Sequence, residues 1–380
     1  MFRHVSFPTS LVAIAAATAS ACVVTISLYR CRESAAPKKI ARAKSRASPA
    51  DRIYPQNVYP GARDVATPYG TIKVFEWGPE EGDKVLIIQG IGTPSLGYAG
   101  IANELVANGC RVMTYDYFGR GHSDSPTDVP HDLRLYLSQM LLVLASSPLP
   151  WTGNAAFHLL GYSLGGGLAA AIAAYYPHLL RSLTIVCPGG LVRSATQLSL
   201  TDRVLYSDSF LPKWLLRVMM RRRLDPGAAG SSHDVPVEFQ GGRESETNMP
   251  TWEDLMRWQL AMNEGFIDAY LSTFQHAPIY DQHEKDWRLL RDVLADRRKD
   301  HTIPGLTGGR MCIVLGAEDI YVNKDELIQD AVTVLGSEAV DIHVLEGGHE
   351  VAIANGREVA QVAMKSWMEN QKALKEMTRR

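Results

Sequence analysis

The chain lacks the cysteine spacing that organises a metal centre or a disulfide framework. Its five cysteines (Cys22, Cys31, Cys110, Cys187 and Cys312) are odd in number and scattered, with no C-x-x-C pair among them. Cys187 and Cys312 sit in apolar, strand-like runs and read as small buried hydrophobes, so no metal and no cofactor is expected. The chain also lacks a charge excess. A net charge of −2 over 380 residues gives no basic domain of the kind that binds nucleic acid. No period of 20 to 50 residues marks a repeat protein. No Asn-x-Ser/Thr sequon occurs, which weighs against a glycosylating compartment.

What is present first is an apolar run. Residues 11–29, LVAIAAATASACVVTISLY, carry no charge and come close to the length that spans a bilayer as a helix. Arg30, Arg32, Lys38, Lys39, Arg42, Lys44 and Arg46 follow it, against Arg3 alone ahead. Under the positive-inside rule this predicts a single-pass membrane anchor with the rest of the chain cytosolic. A cleaved signal peptide or a mitochondrial presequence would use the same residues. Residues 1–52 are therefore set apart as targeting segment and basic linker.

From about residue 53 strands alternate with helices. Apolar runs at 71–77, 84–89, 111–115, 156–160 and 183–187 read as strands, and 98–108, 133–144 and 164–176 as helices. The alternation then stops. Residues 191–305 hold only helical patterns, at 211–222 and 252–274, before strands resume at 311–315 and 341–345 and a helix closes the chain at 357–375. Alternation of this kind predicts an α/β fold around a mostly parallel sheet covered on both faces. The core is assigned to 53–190 and 306–380, with 191–305 as a helical lid insert.

The sharpest motif is Gly161-Tyr162-Ser163-Leu164-Gly165, between an apolar strand and a helix rich in glycine and alanine. It matches the G-x-S-x-G elbow, in which a tight strand-to-helix turn pushes a serine Oγ clear of the backbone. With the strand order and the inserted helices, it resembles the α/β-hydrolase superfamily in its serine-nucleophile, lipase, esterase and epoxide-hydrolase-like branch. The resemblance runs over roughly residues 54–377 and implies an eight-stranded-type sheet. It also implies an acid and a histidine after late strands. Asp319 follows the run 311–315, with Glu318 as its neighbouring competitor, and His349 follows 341–345 in Glu346-Gly347-Gly348-His349. The resemblance further implies oxyanion-hole N–H groups from Leu164 and from the turn after residues 84–89, at Ile91 with Gly92 second. Gln89 stands where relatives usually carry histidine. Asp116 to Ser123 resembles the family's D-x-x-G-x-G-x-S turn and is read as structural support.

Ser163 as nucleophile, His349 as base and Asp319 as orienting acid predict hydrolysis of an ester or thioester of a hydrophobic small molecule. Phe210, Trp214, Trp252, Trp258, Tyr270 and Phe274 of the insert would line an acyl pocket or pack the lid's own core. Carbon–carbon bond hydrolysis and acyl transfer use the same three residues. A non-catalytic ligand-binding role is the alternative of a different class. Arg221-Arg222-Arg223 reads as a solvated helix end.

Overall fold

A computed structural model of the chain describes residues 40–43, 53–153, 156–206, 211–226, 236–237 and 250–377. Eight strands form the main sheet: β1 (Arg63–Thr67), β2 (Gly70–Trp77), β3 (Lys84–Ile88), β4 (Arg111–Tyr115), β5 (Phe157–Tyr162), β6 (Leu180–Val186), β7 (Met311–Gly316) and β8 (Val340–Leu345). Their spatial order is β8-β7-β6-β5-β3-β4-β2-β1. β2 runs antiparallel to both its neighbours, and every other pairing is parallel. The expected mostly parallel eight-stranded sheet is what the chain forms.

The helices are α1 (Ala99–Ala107), α2 (Leu133–Ala145), α3 (Leu164–Tyr175), α4 (Leu200–Tyr206), α5 (Lys213–Leu224), α6 (Trp252–Met262), α7 (Phe266–His276), α8 (Asp286–Lys299), α9 (Lys324–Leu335), α10 (Val351–Ala354) and α11 (Gly356–Met377). Side chains alternate along a strand, so each central strand feeds two cores. Leu86, Met113, Leu159, Ile185 and Ile313 are buried with residues of α2, α3 and α8 on one face. Val85, Val112, Leu160, Val186 and Val314 are buried with α1 and α11 on the other. Strands buried on both faces read as continuous apolar runs, which is why they stood out in the sequence.

Several elements differ from the sequence reading. β1 was not foreseen: it is an edge strand whose residues alternate between half-buried and exposed. The pattern at 252–274 is two helices, broken where Asn263 turns its side chain onto the carbonyls of Gly121 and Ser123. α8 lies within the span expected to be a lid, but it packs on α3 against the sheet. Among the described residues no helix is long and apolar enough to cross a membrane. The run 11–29 and Phe210 lie outside those residues.

Candidate active site

The elbow is built around a strained residue. Ser163, between β5 and α3, has φ 53° and ψ −114°, a backbone conformation costly for any residue with a Cβ. Its own hydrogen bonds hold it there. The Ser163 N–H donates to the Val186 carbonyl at 2.9 Å, and its carbonyl accepts from Gly166, Gly167 and Gly189. The helix behind must come very close to the sheet. A Cβ on Gly165 would lie 2.5 Å from the carbonyl oxygens of Ile88 and Gln89, so only glycine fits.

The Ser163 Oγ stands 2.9 Å from His349 Nε2, and His349 Nδ1 stands 2.7 Å from Asp319 Oδ2. The loop after β8 drops the imidazole between the rings of Tyr162 and Tyr321, with centroids 5.3 and 5.2 Å away. The second oxygen of Asp319 accepts the N–H groups of Tyr321 and Val322, both at 2.8 Å. Burial alone would raise this carboxyl. The bond and charge of His349, with the two N–H groups, outweigh it and hold Asp319 below its ordinary value. An ionised Asp319 can only accept, so the imidazole proton belongs on Nδ1 and Nε2 faces the serine hydroxyl with its lone pair. The competing Glu318 is exposed. Its backbone N–H donates to the Gly347 carbonyl and so pins the histidine loop.

The residues expected to stabilise an oxyanion stand at the same end of the sheet. Leu164 is the first residue of α3, where a helix gives its N–H no internal acceptor. The turn of Gly90, Ile91 and Gly92 follows β3. Its three peptides are gripped from three directions: Gly90 N–H donates to Tyr98 Oη at 2.8 Å, the Ile91 carbonyl accepts from Arg120 Nε at 3.0 Å, and the Gly92 carbonyl accepts from Gln259 Nε2. Gln89 turns its amide into the core, onto Ser95 Oγ and the Tyr115 carbonyl.

Sequence reasoning did not place Gln259, nor the contacts that Arg120 and Cys187 make beside the site. Arg120 is fully buried and donates to the carbonyls of Ile91 and Phe118 and to Thr273 Oγ1 on α7. Gln259, on α6 and also fully buried, accepts from Gly121 N–H with Oε1 while its Nε2 holds Gly92. Together they tie the inserted helices to the turn beside Ser163. Asp116 anchors the same region, accepting from Ser95 N–H, His122 N–H and Tyr54 Oη, which fits the supporting role read from its motif. Cys187 follows β6 directly, with φ 43°. Its Sγ, an Asp319 oxygen and a His349 nitrogen lie within 4.8 Å of one another. These three could meet a soft metal ion, but Asp319 and His349 already bond each other.

The aromatics of the insert divide. Tyr270 lies beside Gly92, and Tyr206 stacks on Phe274 at 3.9 Å with Tyr270 5.2 Å from Phe274. Trp258 instead packs on Tyr54 and His122, and Trp214 is 61% exposed, so neither belongs to a pocket. The basic run ends α5 as expected, although Arg223 reaches back to pair with Asp202 and Arg221 donates to the Leu260 carbonyl.

A family model described as alpha/beta hydrolase fold matches residues 83–291. A protein of Mycobacterium tuberculosis described as uncharacterized is 28% identical over 189 residues, which are 46% of this chain and 53% of that one. This chain therefore spans about half the length of the curated relatives it first matches. Human monoglyceride lipase is 29% identical over 131 residues, 34% of this chain and 42% of the lipase. Among solved structures, a carboxylesterase structure from Nitrososphaera gargenis aligns with a TM-score of 0.56 at 13% identity, over 82% of this chain and 100% of that one, a likeness of fold.

Proposed function

This chain belongs to the α/β-hydrolase family, and on that premise we propose that it is a serine hydrolase, cleaving an ester or thioester of a hydrophobic small molecule through an acyl-enzyme on Ser163. The observation that carries the reading is the continuous line from Ser163 Oγ through both nitrogens of His349 to Asp319. Nε2 takes the hydroxyl proton as Oγ attacks the carbonyl carbon, and Asp319 steadies the imidazolium that forms. The oxyanion sits against the N–H of Leu164 and of the turn at Ile91 and Gly92, a kind of contact worth about 10²–10³ in rate for each donor. Collapse expels the alcohol or thiol, which leaves with the proton from His349. Water then repeats the sequence and frees the acid.

The stacked Tyr206 and Phe274, with Tyr270 beside the oxyanion turn, support an apolar acyl group under a helical lid formed within 191–305. The likeness to a monoglyceride lipase supports an acyl ester. Transfer to another acceptor or carbon–carbon cleavage would use the same residues and differ in what enters or leaves. Membrane attachment through residues 11–29, with the catalytic unit in the cytosol, belongs to the proposal because it would set the site beside lipid-dissolved substrate.

Rapid mixing with p-nitrophenyl and S-acyl thioester substrates of increasing chain length tests the reading. The expected result is a burst of alcohol or thiol approaching one equivalent per chain, absent in Ser163→Ala. Turnover that survives Ser163→Ala would refute it.

A further inference from the structure

Away from Ser163, on the face of the sheet that α11 covers, β7, β8 and α11 bring together four side chains that the proposed chemistry leaves unused. The register pairs Cys312 with Asp341, so both point to the same face, and His343 follows two residues on. The Cys312 Sγ, an Asp341 carboxylate oxygen and a His343 nitrogen lie within 4.8 Å of one another. His343 Nε2 is 3.0 Å from Asp341 Oδ1. Ser366, on α11 and 2% exposed, brings its Oγ to the Cys312 thiol and the Asp341 carboxylate. A thiol, a carboxylate, an imidazole and a hydroxyl thus meet in one small cluster.

We propose that Cys312, Asp341 and His343 form a binding site for a borderline-soft divalent cation of the Zn2+ kind, with Ser366 Oγ or water completing the coordination. One thiolate, one imidazole and one carboxylate is a donor set suited to Zn2+ in tetrahedral geometry. The present spread of donor atoms needs only a modest closing to reach bonds of about 2.0–2.3 Å. Access is open, because the side chains of Asp341 and His343 are 24% and 31% exposed on the edge strand while Cys312 waits beneath. On loading, the Cys312 S–H bond breaks, the sulfur lone pair goes to the metal and the proton leaves to solvent. β7 leads to Asp319 and β8 to His349, so the cation cross-links the two strands that present the acid and the base. Its effect falls on stability, since no donor of this cluster hydrogen-bonds Ser163, His349 or Asp319.

The test is Co2+ titration of the full chain after chelator treatment. Expected is one Co2+ per chain with a sulfur-to-cobalt charge-transfer band and tetrahedral visible bands, both displaced by Zn2+. The band disappears in Cys312→Ser and persists in Cys187→Ala. His343→Ala, at a partly exposed position, weakens Co2+ binding at least about 10-fold and leaves fluorophosphonate labelling at Ser163 unchanged, which reports that the variant is folded. Absence of the band in wild type, its survival in Cys312→Ser, or its loss only in Cys187→Ala would each overturn the proposal, the last by placing the ion against Asp319 and His349.

Discussion

Asp319→Asn is expected to lower kcat by about 10⁴-fold, the size of loss that a mis-set histidine tautomer causes in Ser-His-Asp sites. Glu318→Gln should leave kcat within about twofold, because surface changes away from such contacts are nearly neutral. The contrast follows from geometry. Asp319 Oδ2 is 2.7 Å from His349 Nδ1, and Oδ1 is fixed by the N–H groups of Tyr321 and Val322. An asparagine amide can offer its NH₂ to Nδ1, which moves the imidazole proton to Nε2 and leaves Ser163 facing a donor. KM should change much less than kcat, since the residue acts on the reacting atoms through His349. A loss in Glu318→Gln equal to that in Asp319→Asn would reassign the acid.

Stability should fall steeply between pH 7.5 and pH 5. Burial, with the nearby Arg120 and His276, lowers His131 to about 3. Burial and Arg181 lower His158 to about 3 as well, with Asp83 opposing. His131 is 2% exposed with neither ring nitrogen paired, and His158 is 1% exposed, bonded to Ser182 Oγ and stacked on Trp367. An unfolded histidine takes up its proton near 6.5, so below that pH the unfolded chain binds more protons than the folded one. The contribution of each neutral ring is therefore complete above about pH 6.5 and is lost as pH falls toward 3. At about 1.4 kcal/mol per pH unit for each group, the two remove roughly 4 kcal/mol by pH 5. That is a large share of an ordinary domain's stability. Urea melts at the two pH values measure it. His131→Leu should remove about half the slope, since no hydrogen bond is lost with the ring. Equal stability at pH 7.5 and 5 would show that these histidines can be protonated in place.

Ser163, Asp319 and His349 were picked out because each lies in a short turn directly after an apolar strand; β5 and β7 announce themselves by burying both faces, while β8 is a partly exposed edge strand. The turn proposed to hold the oxyanion was picked out by its place after β3, and the Gln89 side chain within it points into the core. The contacts of Arg120 and Gln259 were not legible. Gln259 meets Gly121 across 138 positions, and that meeting depends on how α6 settles over the sheet, which no local pattern encodes. Gln259 looked like one polar residue among the apolar positions of a helix. Cys187 read correctly as buried, but its place beside Asp319 depends on β6 and β7 being neighbours. The edge strand β1 escaped notice because its alternation is shallow. α9 was missed although Asn323 caps it and acids fill its first turn, both of which are visible in the sequence.

The most direct test of the central claim is labelling of folded residues 50–380 by a fluorophosphonate probe, alongside Ser163→Ala and His349→Ala. Expected is one probe per chain on Ser163 in wild type and none in either variant, because the hydroxyl reacts only when His349 takes its proton. Undiminished labelling in His349→Ala, or a folded wild-type protein that takes up no probe, would contradict it.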